Sequence, residues 1–282
     1  MEGTERKDIA CEESRMSPAA KTNFHTHSRW CDGKDSTEDM VRAAFAVGFS
    51  TIGFSSHAML PAGESGNLTS ETAPLYFAEI RALAEKWRGK IEILCGVEAD
   101  YIPGTCTPDR SSYASLTPDY IIGSIHNVVK NGLRCPVDHA PDLLKKGIDE
   151  AFAGNPIDFV RAYFAQEREM AASFDFDVVG HPDLVRKFNT KHPYFDESAP
   201  WYLEELRLTA DAIAASGKIV EVNTGAISRG WLSDAYPSPF FRKLLRERGV
   251  KFILSSDAHS ATAIDCAFDH FSGAEAYLPR IP

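Results

Sequence analysis

The sequence predicts an α/β fold in which parallel strands close into a barrel covered by helices. Short apolar runs rich in β-branched and aromatic residues alternate with longer segments of helical periodicity. Seven candidate strands follow one another at similar spacing, which favours a barrel over an open doubly wound sheet. Gly48, Gly89, Gly217 and Gly249 each stand between a helical segment and the next strand, where a helix C-cap glycine is expected. No G-x-G-x-x-G follows the first strand, so a dinucleotide fold lacks its main support.

In chain order, strands are expected at Thr22–His27, Ser50–His57, Ile91–Tyr101, Asp119–His126, Phe176–His181, Ile219–Asn223 and Lys251–His259. Helical patterns lie between them. The first, Thr37–Val47, opens on a Ser36/Thr37 cap, and Pro74–Arg88, Pro156–Ser173 and Pro239–Arg248 each begin with proline, which suits the first turn. Trp201–Ser216 completes the set. Phe159, Tyr163 and Phe164 fit one face of an amphipathic helix packed on the sheet. The segment from Asn127 to Asn155, with Pro136, Pro141 and Gly154, is the loosest part of the pattern and reads as a lid or loop excursion.

The 282 residues, 44% hydrophobic and 25% charged, are enough for one large domain with a substantial core. Residues 1–20 mix charges with small residues and have no apolar h-region, so they read as a disordered tail, with a single domain over 21–282. A net charge of −10 argues against a protein that coats nucleic acid, because phosphate backbones need a basic surface. It leaves room for a small phosphorylated molecule held by local cations. No segment approaches a membrane span. The six cysteines (Cys11, Cys31, Cys95, Cys106, Cys135 and Cys266) form no C-x-x-C pair, which fits thiols in a cytoplasmic protein.

The chemistry lies at the strand ends. His25-Thr-His27 near the start and Asp257-Ala-His259 near the end each place two ligand types at i and i+2, positions that share a face in an extended strand. His25, His27, His57, Glu98, His126, His181, Asp257 and His259 all fall at or near the C-terminal ends of expected strands, which in a β/α barrel face one mouth. Clustered imidazoles and carboxylates need a positive partner to offset their desolvation. The set exceeds what one tetrahedral zinc uses, so two or three metal ions are implied, with Glu98 suited to bridge. Asp32, in Cys31-Asp32-Gly33, is a further oxygen ligand or an ordinary turn aspartate.

The order H-x-H, S-S-H, G-V-E, G-S-I-H, G-H-P-D and S-D-A-H, from about Asn23 to Ala261, resembles the polymerase and histidinol phosphatase (PHP) superfamily, and within it the monofunctional histidinol-phosphate phosphatases. That resemblance implies a distorted seven-repeat (β/α)7 TIM-like barrel with three divalent ions, zinc, manganese or iron. By position, one ion would use His25, His27, Glu98 and Asp257; a second would share Glu98 and add His126 and His181; the third would use Asp32, His57 and His259. Many relatives carry histidine where Asp32 stands, and a harder oxygen ligand there would favour manganese or iron.

The reaction so implied is hydrolysis of L-histidinol phosphate to L-histidinol and phosphate, a step of histidine biosynthesis. Metals neutralise the ester, provide hydroxide near neutral pH and support the leaving alkoxide. Asp257 or His259 could assist the leaving oxygen, as could water. Arg186 is the first candidate for a phosphate clamp and Arg229, in Glu221-Val-Asn-Thr-Gly-Ala-Ile-Ser-Arg229, the second; Lys187 ranks below its neighbour. Asp100, Asp183 and Glu64 could read the cationic head of the substrate. His139, His192 and His270 are assigned ordinary solvent-facing or locally bonded roles. Other phosphate esters such as nucleotide monophosphates are the alternative substrates, and a noncatalytic metal-stabilised binding protein is the alternative of a different class. An amidohydrolase also begins with H-x-H, but it ends on a lone aspartate and has eight repeats.

Overall fold

The computed structural model describes residues 21–60, 65–271 and 277–282. The expectations for residues 1–20, Cys11 and Glu64 lie outside these. In order the elements are β1 (Thr22–Asn23), α1 (Thr37–Ala46), β2 (Thr51–Phe54), α2 (Ala73–Lys86), β3 (Glu92–Cys95), β4 (Val97–Asp100), β5 (Ile121–Ser124), β6 (Asn127–Lys130), β7 (Leu133–Pro136), α3 (Pro141–Ala151) and α4 (Pro156–Ser173). There follow β8 (Val178–Val179), α5 (Pro200–Ser216), β9 (Ile219–Asn223), α6 (Gly225–Ser228), α7 (Pro239–Glu247), β10 (Phe252–Ser255) and α8 (Phe268–Phe271).

Local chemistry accounts for the helix ends. Ser36 accepts a hydrogen bond from the Asp39 amide at the start of α1, and Asn155 accepts from the amides of Ile157 and Asp158 at the start of α4, satisfying donors that the helix leaves unpaired. Gly217 ends α5 with φ 70°, a left-handed conformation that costs glycine least. On α4 the side chains of Phe159, Tyr163 and Phe164 are buried against the core.

Apart from the β6–β7 hairpin the strands pair in parallel, but they do not run as one ladder. β1, β2 and β3 pair in that order, and β10, β9, β8, β5 and β4 form a second sheet. The segment expected as one strand, Ile91–Tyr101, divides at Gly96: its first half pairs with β2 and its second with β5. Tyr120 explains the break. Its ring packs where a side chain at Gly96 would be, 2.6 Å from an ideal Cβ, and its hydroxyl takes the space beside Gly53. That hydroxyl lies 2.6 Å from the Phe24 carbonyl and 3.0 Å from the Phe54 carbonyl, so it ties the ends of β1 and β2 to the interior. The two sheets touch through single parallel bridges, Thr26 after the edge strand β1 with Ala258 after β10, and His57 after the central strand β2 with Glu98 of β4.

A small apolar cluster of Phe24, Tyr120, Ile122, Val178, Ile219 and Ile253 fills the space between the strands. Side chains alternate along a strand, so Ile122, Ser124 and His126 share a parity, as do Ile219, Glu221 and Asn223. The same residues that bury the interior at one end therefore deliver polar groups at the other. Leu278 and Ile281 pack against this cluster from the C-terminal segment, where the Leu278 amide donates to the Phe252 carbonyl.

The segment from Asn127 to Asn155, expected to be loose, is built into a hairpin and a helix. β6 and β7 pair antiparallel around Asn131-Gly132, whose φ values of 53° and 78° are those of a two-residue type I′ turn. Asn-Gly is a strong hairpin signal that the proline-and-glycine reading passed over. α3 then packs on β7, with Gly147 so close to Cys135 that a Cβ would come within 2.5 Å of its Sγ. Among the described residues, no helix is long and apolar enough to cross a membrane.

Candidate metal centre

The nine proposed ligands gather at the C-terminal ends of the strands, all but Glu98 beyond the last paired residue of their ladder. His25 and His27 follow β1, and His27 is fixed by its amide, which donates to the Ala258 carbonyl at 2.9 Å. His57 follows β2, His126 follows β5, His181 follows β8, and Glu98 lies within β4. Asp257 follows β10 with φ 51°, so the terminal triplet is not extended, and the i, i+2 argument does not describe it. A left-handed turn costs a non-glycine residue roughly 1–2 kcal/mol, less for aspartate, and here it directs Asp257 and His259 to the same centre. Asp32 arrives on a tight turn in which the amides of Cys31 and Gly33 both donate to the Ser28 carbonyl.

Four overlapping groups result: His25, His27 and Asp257; His25, Glu98 and His181; His57, Glu98 and His126; and His27, Asp32, His57 and His259. In the first region, His25 Nε2 lies 3.1 Å from His27 Nε2, 3.2 Å from Glu98 Oε2 and 3.7 Å from Asp257 Oδ1. His27 Nε2 lies 3.5 Å from Glu98 Oε2 and 3.2 Å from Asp257 Oδ1. Ligand atoms set tetrahedrally at zinc distances stand roughly 3.4 Å apart, so the two imidazole nitrogens are spaced from each other and from both carboxylates as neighbours in a coordination shell are. Glu98 uses its second oxygen elsewhere: Oε1 is 3.0 Å from His181 Nε2 and 3.4 Å from His126 Nε2. On the open side, Asp32 Oδ2 lies 3.1 Å from His259 Nε2, and Asp32 Oδ1 lies 3.8 Å from His57 Nε2.

The outer nitrogens show which ring atoms are available. His25 Nδ1 faces both oxygens of Glu221 at 2.9 and 3.1 Å, and His126 Nδ1 faces Asp100 Oδ1 at 2.6 Å. A nitrogen that donates to a carboxylate carries the proton, which leaves the other as a lone pair. His259 Nδ1 lies 2.9 Å from the Asp257 carbonyl. His259 differs, because its Nδ1 also lies 3.0 Å from the Arg229 guanidinium, a donor. In the neutral rings, the lone pairs of His25 and His126 then point at carboxylate oxygens. That arrangement is repulsive unless a cation stands between them.

Electrostatics gives the same answer. Burial alone would lower the His25 imidazole, but the carboxylates of Glu221, Glu98 and Asp257 push it well above its ordinary value. Burial works to raise Glu98, and His25, His126 and His57 outweigh it and hold the carboxyl well below the usual range. The acids and imidazoles thus compensate one another only by taking up protons. Divalent cations do so without them, and the donor set of imidazoles and carboxylates suits such ions.

The centre forms one wall of a cavity of about 650 Å³. Arg229 enters this cavity. Its guanidinium lies 3.1 Å from Asp257 Oδ1 and 3.0 Å from His259 Nδ1, in space kept open by Gly225, where a Cβ would come within 2.6 Å of Arg229 Nη1. Arg186 does not line the cavity. It is buried against Glu197, with Nε 2.5 Å from Oε2, and lies 3.4 Å from Asp183 Oδ2. Its neighbour Lys187 lines the cavity instead. The reason is the single 3₁₀ turn Leu184–Arg186 after His181, in which residues three apart share a face. Leu184 and Lys187 turn inward together, and Arg186 turns away.

Two further acids are placed differently from their expected role as readers of the substrate head. Asp100 is occupied by His126, and Asp183 is buried, accepting from the Ser238 amide at 2.7 Å. His139 reaches the cavity rim, His192 lies on a separate surface depression beside α3, and His270 lies in α8. The residue that sequence reasoning missed is Glu221. Besides His25 it accepts from the His181 amide at 2.8 Å and from Asn223 Nδ2 at 2.9 Å. Its strand parity with Ile219 was the available signal.

The PHP domain family matches residues 23–225, more than half of the chain. The chain belongs to the PHP domain family. Asp257 and His259 of this PHP domain protein lie beyond the matched segment, and the fold nevertheless returns them to His27. The chain is 29% identical over 250 residues to a Deinococcus radiodurans protein named "Probable histidinol-phosphatase", covering 86% of this chain and 88% of that one. Its fold is similar to that of the Listeria monocytogenes hisK structure, with a TM-score of 0.78 at 21% identity over 89% of this chain and 100% of the other. It is also similar to the histidinol phosphate phosphatase of Lactococcus lactis, solved with zinc, L-histidinol and phosphate, with a TM-score of 0.63 at 21% identity over 93% of this chain and 98% of that one.

Proposed function

We propose that this PHP domain protein is a metal-dependent phosphomonoesterase that hydrolyses L-histidinol phosphate to L-histidinol and phosphate. The observation that carries the reading is the convergence of imidazole lone pairs and carboxylate oxygens on one cavity wall, in a chain whose curated relatives along most of its length are named histidinol-phosphatase. The two sheets, joined by two parallel bridges, are read as a distorted (β/α)7 barrel with the site at its mouth.

We assign three ions to the four overlapping donor groups: one held by His25, His27, Glu98 and Asp257, one by Glu98, His126 and His181, and one by Asp32, His57 and His259, a division that the contacts of each Glu98 oxygen and of Asp32 suggest. Zinc, manganese and iron all suit these donors. When bound, the cations neutralise the phosphate oxygens and make a water nucleophile available near neutral pH. The protein's own groups do the rest. Glu221 and Asp100 keep the protons of His25 and His126 on Nδ1, so that Nε2 faces inward. Arg229 and Lys187 supply fixed positive charge for the phosphate oxygens. Asp257 and His259, set against Arg229 at the open side, are assigned the positions nearest the reacting ester. A soluble location in the cytoplasm fits this role.

The test is phosphate release from L-histidinol phosphate by zinc-loaded protein, beside a panel of nucleotide monophosphates and sugar phosphates. Strong preference for histidinol phosphate is expected. Preference for another ester would keep the phosphoesterase chemistry and reassign the substrate, and no release from any ester would overturn the reading.

A further inference from the structure

Among the described residues, the cavity holds one ion pair that the metal centre does not use. Of the acids lining it, Asp32, Glu98 and Asp257 belong to the donor groups, and Asp100 is held by His126. Of the cations, Arg229 is engaged by Asp257. Asp138 and Lys187 remain. Lys187 Nζ donates to Asp138 Oδ2 at 3.0 Å and to the Asp138 carbonyl at 2.8 Å. The pair is built rather than incidental. The hairpin brings Asp138 to the rim, where the neighbouring Val137 amide donates to the carbonyl of His126, and the 3₁₀ turn after His181 brings Lys187. The lysine side chain is only 10% exposed, and the aspartate 27%.

Resting on the phosphatase reading, we propose that Asp138 and Lys187 recognise an aminoalkyl phosphate by exchanging partners with it, Lys187 taking the phosphate and Asp138 the ammonium. The two protein charges are in contact, and the two charges of a 1,2-amino phosphate are separated only by the ester oxygen and two carbons. A zwitterion of that size can lie across the pair with each charge meeting its opposite. Exchange leaves neither charge alone, whereas an ester without the amine draws Lys187 away and leaves the Asp138 carboxylate without a partner. The pair then selects against amine-free phosphates as well as for amino phosphates. Before substrate arrives, burial works to raise the Asp138 carboxyl, and Lys187 together with the nearby imidazoles of His126 and His181 holds it below its ordinary value.

The experiment compares L-histidinol phosphate with its deamino analogue, imidazolylpropyl phosphate, on zinc-loaded wild type and Asp138→Asn, with metal content measured for both. The readout is the ratio of kcat/KM between the two esters. The wild type should favour the amine by about 10- to 100-fold, the range for a hydrogen bond to a charged group, and in Asp138→Asn the ratio should fall toward one. A ratio that stays at the wild-type value overturns the proposal, including the case in which both esters slow equally because Asp138 only positions Lys187. Should the variant fail to fold, inhibition of the wild type decides. In the presence of phosphate, L-histidinol should inhibit more strongly than imidazolylpropanol, and equal inhibition overturns the proposal. If wild type cleaves neither imidazole ester, the histidinol-phosphate reading fails, and the same ratio measured with O-phosphoethanolamine and ethyl phosphate tests the pair on its own.

Discussion

Replacing Glu221 with glutamine exchanges one carboxylate oxygen for an amide nitrogen without changing the size of the side chain, and its effect on the metal centre can be worked out atom by atom. Oε1 accepts from His25 Nδ1, the His181 amide and Asn223 Nδ2, while Oε2 accepts only from His25 Nδ1, at 2.9 Å. Glutamine keeps its oxygen where the His181 amide and Asn223 Nδ2 converge, so its NH₂ takes the Oε2 position, the nearer of the two to His25 Nδ1. Two donors then face each other in a fully buried site. The imidazole escapes by moving its proton to Nε2, which removes the lone pair that faces Glu98 and Asp257. Loss of such a supporting partner typically costs 10- to 100-fold in metal affinity or activity, which corresponds to about 1.4–2.7 kcal/mol. The assay is a competitive chelator titration of Glu221→Gln and wild type, with phosphate release followed against free zinc. The variant should need 10- to 100-fold more zinc for half-maximal activity and recover part of its rate at high zinc. Wild-type zinc affinity and wild-type turnover together would refute the tautomer argument.

Four other outcomes follow from the same geometry. Asp257→Asn and His27→Ala should each lower bound metal and phosphate release together, and full activity of either at normal metal content would remove them from the centre. Lys187→Met should raise KM for a phosphate monoester while metal content, measured by atomic emission, stays at the wild-type level. Arg186→Ala leaves Asp183 and Glu197 without their cation, so it should destabilise the fold by about 3 kcal/mol or more in a urea melt; an unchanged midpoint with a raised KM would return Arg186 to the phosphate. Removing metal with a chelator should lower the melting temperature and abolish phosphate release, since an ion present at 1,000 times its Kd contributes about 4 kcal/mol, and zinc should restore both.

Outside the segment from Asn127 to Asn155, which reads as a loop and forms a hairpin and the helix α3, the sequence by itself determined the alternation of strands and helices. It also determined the boundaries of the five expected helices to within a residue or two, and the identity of the residues that gather at the strand ends. Those properties are local. Apolar periodicity, capping residues such as Ser36 and Asn155, and a histidine or acid at the end of a strand can each be read within a few positions. The hairpin at Asn131-Gly132 and the parity of Glu221 with Ile219 were legible too, but only to a reader who asked about turn type and strand face. Other features depended on tertiary structure. That Tyr120 would wedge between Gly53 and Gly96 and divide one strand between two sheets depends on residues far apart in the chain. That Lys187 rather than Arg186 would face the cavity depends on a single 3₁₀ turn, where one residue of rotation swings a side chain by about a third of a circle. Asp257 reaches His27 through a left-handed backbone turn that no spacing rule encodes. Which residues could bind a metal was written along the chain, and which atoms of those residues face one another was decided by packing.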